Sequence, residues 1–81
     1  MNIERLVTMA NDISHYFAAD PDQAAGAAAI ADHLKKFWEP GMRKQIVAHL
    51  AGGGEGLEPL TRMGVQKLAE LDNQVTAANS E

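Results

Sequence analysis

Residues 20–41, DPDQAAGAAAIADHLKKFWEPG, decide the fold. An acidic–proline opening leads into a run of small, helix-favouring residues, and Pro40 closes it. Asp20 reads as the N-cap and Pro21 as the first helical residue, where a missing N–H is no loss. Gln23 stands where a capping-box partner belongs. Ala24, Ala27, Ala28, Ala31, Leu34 and Trp38 trace one apolar side of a helix that runs to about Phe37. The alanines leave a smooth surface that lets a neighbouring helix come close. Gly26 costs about 1 kcal/mol relative to alanine in a helix interior, which points to tight packing. Pro40 disfavours helical geometry at Glu39 and can itself begin a new helix.

The helical period extends outward in both directions. Upstream, Ile3, Leu6, Val7, Ala10, Ile13 and Phe17 recur at three- and four-residue steps, while Glu4, Arg5, Asn11, Asp12 and Ser14 fall largely off that stripe. Downstream, Met42, Ile46, Val47 and Leu50 mark a short third helix. Gly52-Gly53-Gly54 ends it and Glu55-Gly56 continues a flexible loop, since glycine tolerates the left-handed backbone of helix C-caps and turns. A last helix opens between Leu57 and Pro59 and carries Leu60, Gly64, Leu68, Leu71 and Val75. No stretch alternates like a strand, and no internal repeat is present. The expected fold is all-α, a small bundle of about four short helices. It forms a single domain over residues 1–75, with a flexible C-terminal tail over 76–81, where the residues are small and polar.

Composition bounds what such a bundle can do. The chain has 81 residues and a hydrophobic fraction of 46%, but 14 of those hydrophobic residues are alanine. The core is therefore thin, at a length where one core seldom contributes more than a few kcal/mol. A subunit that completes itself against a partner is expected. A free-standing enzyme is disfavoured, because a substrate cleft would consume the little core available. The chain has no cysteine, which removes disulfides, thiol chemistry and iron–sulfur ligation. The start, MNIERLVTMAND, lacks the long apolar region of a signal peptide. The run Ala24 to Ala31 falls far short of the roughly 20 residues a membrane span needs. A cytoplasmic location is expected, with no membrane partner.

Charge is unevenly spread. The net charge is −4, yet residues 33–44 hold Lys35, Lys36, Arg43 and Lys44 against Glu39, a local +3 that leaves −7 elsewhere. An acidic chain is a poor general binder of nucleic acid. A compact basic segment can still seat an acidic surface or a phosphate-bearing ligand.

Candidate chemistry is sparse. His15, His33 and His49 are too far apart in sequence for a paired-ligand motif, and hydrogen-bonded or solvated histidines are the simpler expectation. AGGGEG lacks the Lys-Ser/Thr of a phosphate loop and the strand that precedes a dinucleotide fingerprint. Ser14 and Ser80 are the only serines, and neither belongs to a nucleophile triad. No catalytic residue and no metal ligand is assigned. The segment His33 to Met42 is different. Phe37 and Trp38 are adjacent, so on a helix they point about 100° apart. One closes the core and the other presents an apolar surface beside the basic residues, or both sit on a wide core seam with a basic rim. Tryptophan and arginine are favoured interface anchors.

The string HLKKFWEPGMRKQIVAHLAGGGEGLEPL resembles the signature stretch of the delta subunit of NAD-dependent, molybdenum-containing formate dehydrogenases. The opening IERLVTMANDISHYFAADPDQA also resembles that family's start, so the likeness covers nearly the whole chain except the tail. Its most specific part is H-x-x-x-F-W-E-P-x-M-R, followed by A-H-L and G-G-G-E-G-L-x-P-L. It picks out His33, Phe37, Trp38, Pro40, Met42, Arg43, His49, Leu50, Gly53, Gly54, Leu57 and Pro59. Gly41 departs from the pattern, at a place where the family carries a larger, often basic residue.

The resemblance implies a role rather than a reaction. The holoenzyme of that family oxidises formate to carbon dioxide and passes electrons to NAD. Its alpha subunit holds bis-molybdopterin guanine dinucleotide and iron–sulfur clusters, and beta and gamma subunits carry flavin and further clusters. The delta subunit holds no redox centre and supports assembly, cofactor insertion or stability. The implied partners are the alpha subunit and its beta/gamma complex. The implied partner-binding set is His33, Lys35, Lys36, Phe37, Trp38, Pro40, Met42, Arg43 and Lys44, with His49, Gly53, Gly54, Leu57 and Pro59 as a secondary, loop-borne set. No stably bound cofactor is expected on this chain, only transient or indirect contact with the partner's pterin. The alternative from another class is a small helical regulatory module, homo-oligomeric or DNA-binding, unrelated to formate oxidation. An isolated chain with an exposed apolar patch can also pair with itself.

Overall fold

The structure is a computed structural model that describes residues 2–79, with side chains described over residues 2–72. Among these residues the chain forms four α-helices and no strand: α1 Ile3–Phe17, α2 Gln23–Phe37, α3 Pro40–Ala51 and α4 Pro59–Asn79. The all-α bundle is as the periodicity predicts. The tail expected over 76–81 falls partly on the last turns of α4 and partly, at residues 80 and 81, outside the described residues.

Local chemistry explains the starts of α1, α2 and α3 and the end of α3. Asn2 caps α1, its side chain accepting from Glu4 N–H at 2.8 Å. The α2 cap lies two residues later than the sequence indicates. Asp22, not Asp20, is the N-cap and accepts from the N–H groups of Ala24 and Ala25. Asp20 instead accepts from Asp22 N–H at 2.9 Å, forming the turn that delivers Asp22 to the cap. Pro21 thus sits inside that turn, and Gln23 is the first helical residue. Both residues between α2 and α3, Trp38 and Glu39, are extended, and Pro40 opens α3.

α3 ends in a Schellman motif. Gly54 N–H donates to His49 O at 2.9 Å and Gly53 N–H to Leu50 O at 3.0 Å, satisfying carbonyls the helix leaves unpaired. The backbone at Gly54 has φ +65°, and a Cβ there would lie 2.8 Å from Arg62 Nη1. Only glycine meets both demands.

The core joins Leu6 and Ala10 of α1, Ile30, Ala31 and Leu34 of α2, Trp38, Ile46 of α3, Leu57, and Val65 and Leu68 of α4. Burying each leucine or isoleucine contributes about 1.5–3 kcal/mol, so a small number of large side chains carries the fold. α2 and α4 form the most extensive helix pair. Ile30, not Ala24 or Ala28, completes the buried side of α2, and the latter two are exposed. The close approach suggested by Gly26 is real but mild, with Phe17 O 3.4 Å from a built Cβ. The tighter one is at Gly64 of α4, against Ile30. No described helix is long and apolar enough to cross a membrane.

Candidate partner-binding surface

The two aromatic neighbours at the end of α2 part company. Trp38 is 6% exposed and belongs to the core, whereas Phe37 is 72% exposed. The helical chain breaks between them: Phe37 is the last α2 residue, and Trp38 turns extended, its N–H still donating to Leu34 O at 2.9 Å. Trp38 is therefore unavailable as an exposed anchor. Met42 is half-buried and packs against the same core.

The basic residues do not form one patch either. Arg43 is half-buried and folds back over the end of α2, donating from Nη1 to Lys35 O at 2.7 Å and to Trp38 O at 3.4 Å. A cation there satisfies carbonyls and the negative end of the helix dipole. Its Nε is buried with no hydrogen-bond partner among the described residues. Lys36 pairs with Asp32 at 3.0 Å, one turn back on α2. Lys35, Pro40 and Lys44 are exposed. The feature expected from a local +3 thus divides between a helix-capping role and separate surface positions.

The glycine loop is a joint, held from three sides. Arg62 of α4 donates from Nε to Leu57 O (3.1 Å), from Nη1 to Gly53 O (3.0 Å) and from Nη2 to Gly54 O (2.8 Å). His49 Nε2 lies 2.7 Å from Glu55 O. A carbonyl can only accept, so this nitrogen donates. From α1, Asn11 Nδ2 donates to Gly56 O at 2.9 Å. Its Oδ1 accepts from Glu58 N–H at 3.1 Å and Thr61 Oγ1 at 2.8 Å. The flexible loop expected from AGGGEG is instead tied by side chains of three helices. Gly54 and Leu57 are buried within it, and Gly53 and Pro59 are exposed.

The histidines go to three separate places. His15 pairs with Glu58 at 2.6 Å, His49 serves the loop, and His33 lies among aromatic rings. No group of three His, Cys, Asp or Glu side chains is placed to hold a metal ion among the described residues.

His33 marks the surface that the sequence only half indicates. Its ring centroid lies 4.7 Å from Phe37 and 6.3 Å from Phe17, and Phe17 meets Tyr16 edge-on at 5.1 Å. Four rings thus run in a chain from α1 to α2. Tyr16 is 80% exposed. Asp12, Ile13, Tyr16, Phe17 and His33 line an open groove of about 460 Å³ beside them. Tyr16 and Asp12 were not among the expected site residues, nor were Asn11, Thr61 and Arg62. Tyr16 did leave a signal, a large ring off the apolar stripe of α1.

The comparisons with known proteins bear on the whole of this region. A family model described as "FdsD: NADH-dependant formate dehydrogenase delta subunit FdsD" matches residues 5–65, from the first turn of α1 into α4. No curated protein and no solved structure gives a significant match.

Proposed function

Because the chain belongs to the family of NADH-dependant formate dehydrogenase delta subunits, we propose that it is a non-catalytic accessory subunit that docks on the catalytic alpha subunit. There it supports assembly and stability of the complex and insertion or retention of the molybdenum-pterin cofactor. The observation that carries this is the family match over α1, α2, α3 and the glycine joint. Exposed Phe37 and Tyr16 support it, since large rings left in water favour association.

In this reading the pterin cofactor resides on the partner, and this chain makes at most transient or indirect contact with it. A dinucleotide needs donors converging on one cleft, and Arg43 is spent on backbone carbonyls while Lys36 pairs with Asp32. No cysteine is present. The contribution is therefore conformational: docking binds the cofactor-competent state of the partner better than the empty one, and so raises its population.

The test is to express the complex with and without this chain and measure molybdenum per complex and subunit stoichiometry. Loss of molybdenum or of subunits without the chain, restored by co-expression, is expected. Equal molybdenum content and an intact complex in its absence would overturn the proposal.

A further inference from the structure

We infer that the aromatic groove between α1 and α2 is a receptor for a basic side chain, an arginine in particular, on the surface of a partner subunit. This rests on the proposal that the chain docks within the formate dehydrogenase complex. It reverses the charge logic of the sequence, in which the basic segment meets an acidic partner.

The groove walls are mainly apolar: Ile13, Tyr16, Phe17 and His33 line it, and the ring of Phe37 lies tilted against His33, 4.7 Å away between centroids. Its one carboxylate is Asp12, which is exposed and joins neither the His15–Glu58 nor the Lys36–Asp32 pair. Aromatic faces carry negative potential and attract a cation placed over them. A carboxylate at the lip adds a bidentate acceptor that matches a guanidinium fork. Arginine fits both features at once, since its planar head stacks on rings while its stem covers apolar surface. An acidic partner would meet Asp12 with like charge. Of the two lysines in the last turn of α2, Lys36 already pairs with Asp32. The rest of the chain outside residues 33–44 carries −7, which also favours a basic partner surface.

The test uses the full chain and the subunits of the complex expressed without it, with Kd measured for add-back at low and high salt. Asp12→Asn, Tyr16→Ala and Phe37→Ala should each raise Kd about tenfold or more. The Asp12→Asn effect should shrink at high salt. Lys35→Ala and Lys44→Ala should stay within about twofold, as rim charges do. All five positions are exposed, so helix content by circular dichroism should not change. Asp12→Lys is the second variant, expected to weaken binding further than Asp12→Asn. If the ring variants weaken binding but Asp12→Asn does not, the occupant is an apolar anchor and the inference fails. Dependence on Lys35 and Lys44 alone would reinstate an acidic partner. Self-association of the chain through this face, with no binding to the complex, would make the occupant a second copy. Failure of the unaltered chain to bind the complex sinks the docking proposal itself. Unaltered binding that ignores Asp12 and the rings sinks only the receptor.

Discussion

Gly64 of α4 lies directly against Ile30 of α2, so that a Cβ built on Gly64 would sit 2.5 Å from Ile30 Cγ2 and 2.8 Å from Ile30 Cβ. Real Cβ atoms do not approach so closely, and Ile30 is completely buried, with little room to yield. The approach of α2 to α4, the most extensive helix pair, thus depends at this point on the absence of a side chain. Gly64→Ala should destabilise the fold by about 1–3 kcal/mol, read as a lower midpoint in urea. Ile30→Ala in the same chain should couple with it, because the nearest clashing atom is removed. Gly41→Ala is the contrast. Nothing lies within 4 Å of a Cβ there, and the change should be neutral or stabilising by up to about 1 kcal/mol.

Phe37 and Trp38 should separate stability from binding. Trp38→Ala removes a core ring and should cost about 3–5 kcal/mol, a large share of the stability of a small domain. Phe37→Ala should leave the thermal midpoint nearly unchanged, since surface substitutions usually stay within about 0.5 kcal/mol. Thermal unfolding of the two variants checks both. Similar losses would place Phe37 in the core as well.

Arg62 should be worth more than an exposed arginine ordinarily is. It donates to three loop carbonyls. Arg62→Ala should cost about 1–3 kcal/mol and speed amide exchange at Gly53 and Gly54. Arg62→Lys should recover little, because an ammonium cannot span three carbonyls as a guanidinium fork does. Full rescue by lysine would reduce the contact to charge alone.

Asn11 uses both ends of its amide, donating to Gly56 O and accepting from Glu58 N–H and Thr61 Oγ1. Asn11→Asp keeps the acceptors but sets a carboxylate oxygen against Gly56 O. It should lose about 1 kcal/mol or more, and Asn11→Ala about 1–3 kcal/mol. A double-mutant cycle with Thr61→Val isolates the buried hydrogen bond. Zero coupling would show that the 2.8 Å contact does not operate in solution.

The α2 cap is a finer test of register. Asp22→Ala should cost about 0.5–2 kcal/mol, as N-cap losses do, and Asp20→Ala should cost less, because Asp20 supports only the turn before the helix. Urea midpoints of the pair decide it. The larger loss at Asp20 would return the cap to that residue.

The number and type of elements were legible in the sequence because the rules that set them act over a few residues. Pro40 opens a helix and the run Gly52-Gly53-Gly54 ends one through local backbone preference, and a stripe at helical spacing needs only its own turn to be recognised. Even there the phase slipped. Two acids flank Pro21, and only the helix itself shows which of them caps it. The alanines masked Ile30 as the residue at the centre of α2. The opening IERLVTMANDISHYFAADPDQA and the string from His33 to Leu60 also sufficed to indicate the family that the model match then showed.

What only the tertiary structure decided lies between residues distant in the chain. Asn11 reaches Gly56 across 45 positions and Thr61 across 50, and no local pattern encodes such a contact. The fate of Phe37 and Trp38 depended on where α2 ended relative to the core that all four helices build. The cations of residues 33–44 looked like one patch because they are close in sequence, but backbone carbonyls and Asp32 claim two of them. The groove at Asp12 and Tyr16 exists because α1 and α2 pack so that Phe17 meets His33. Local steric preference sets which segments are helices, and packing sets which side chains are left to meet a partner.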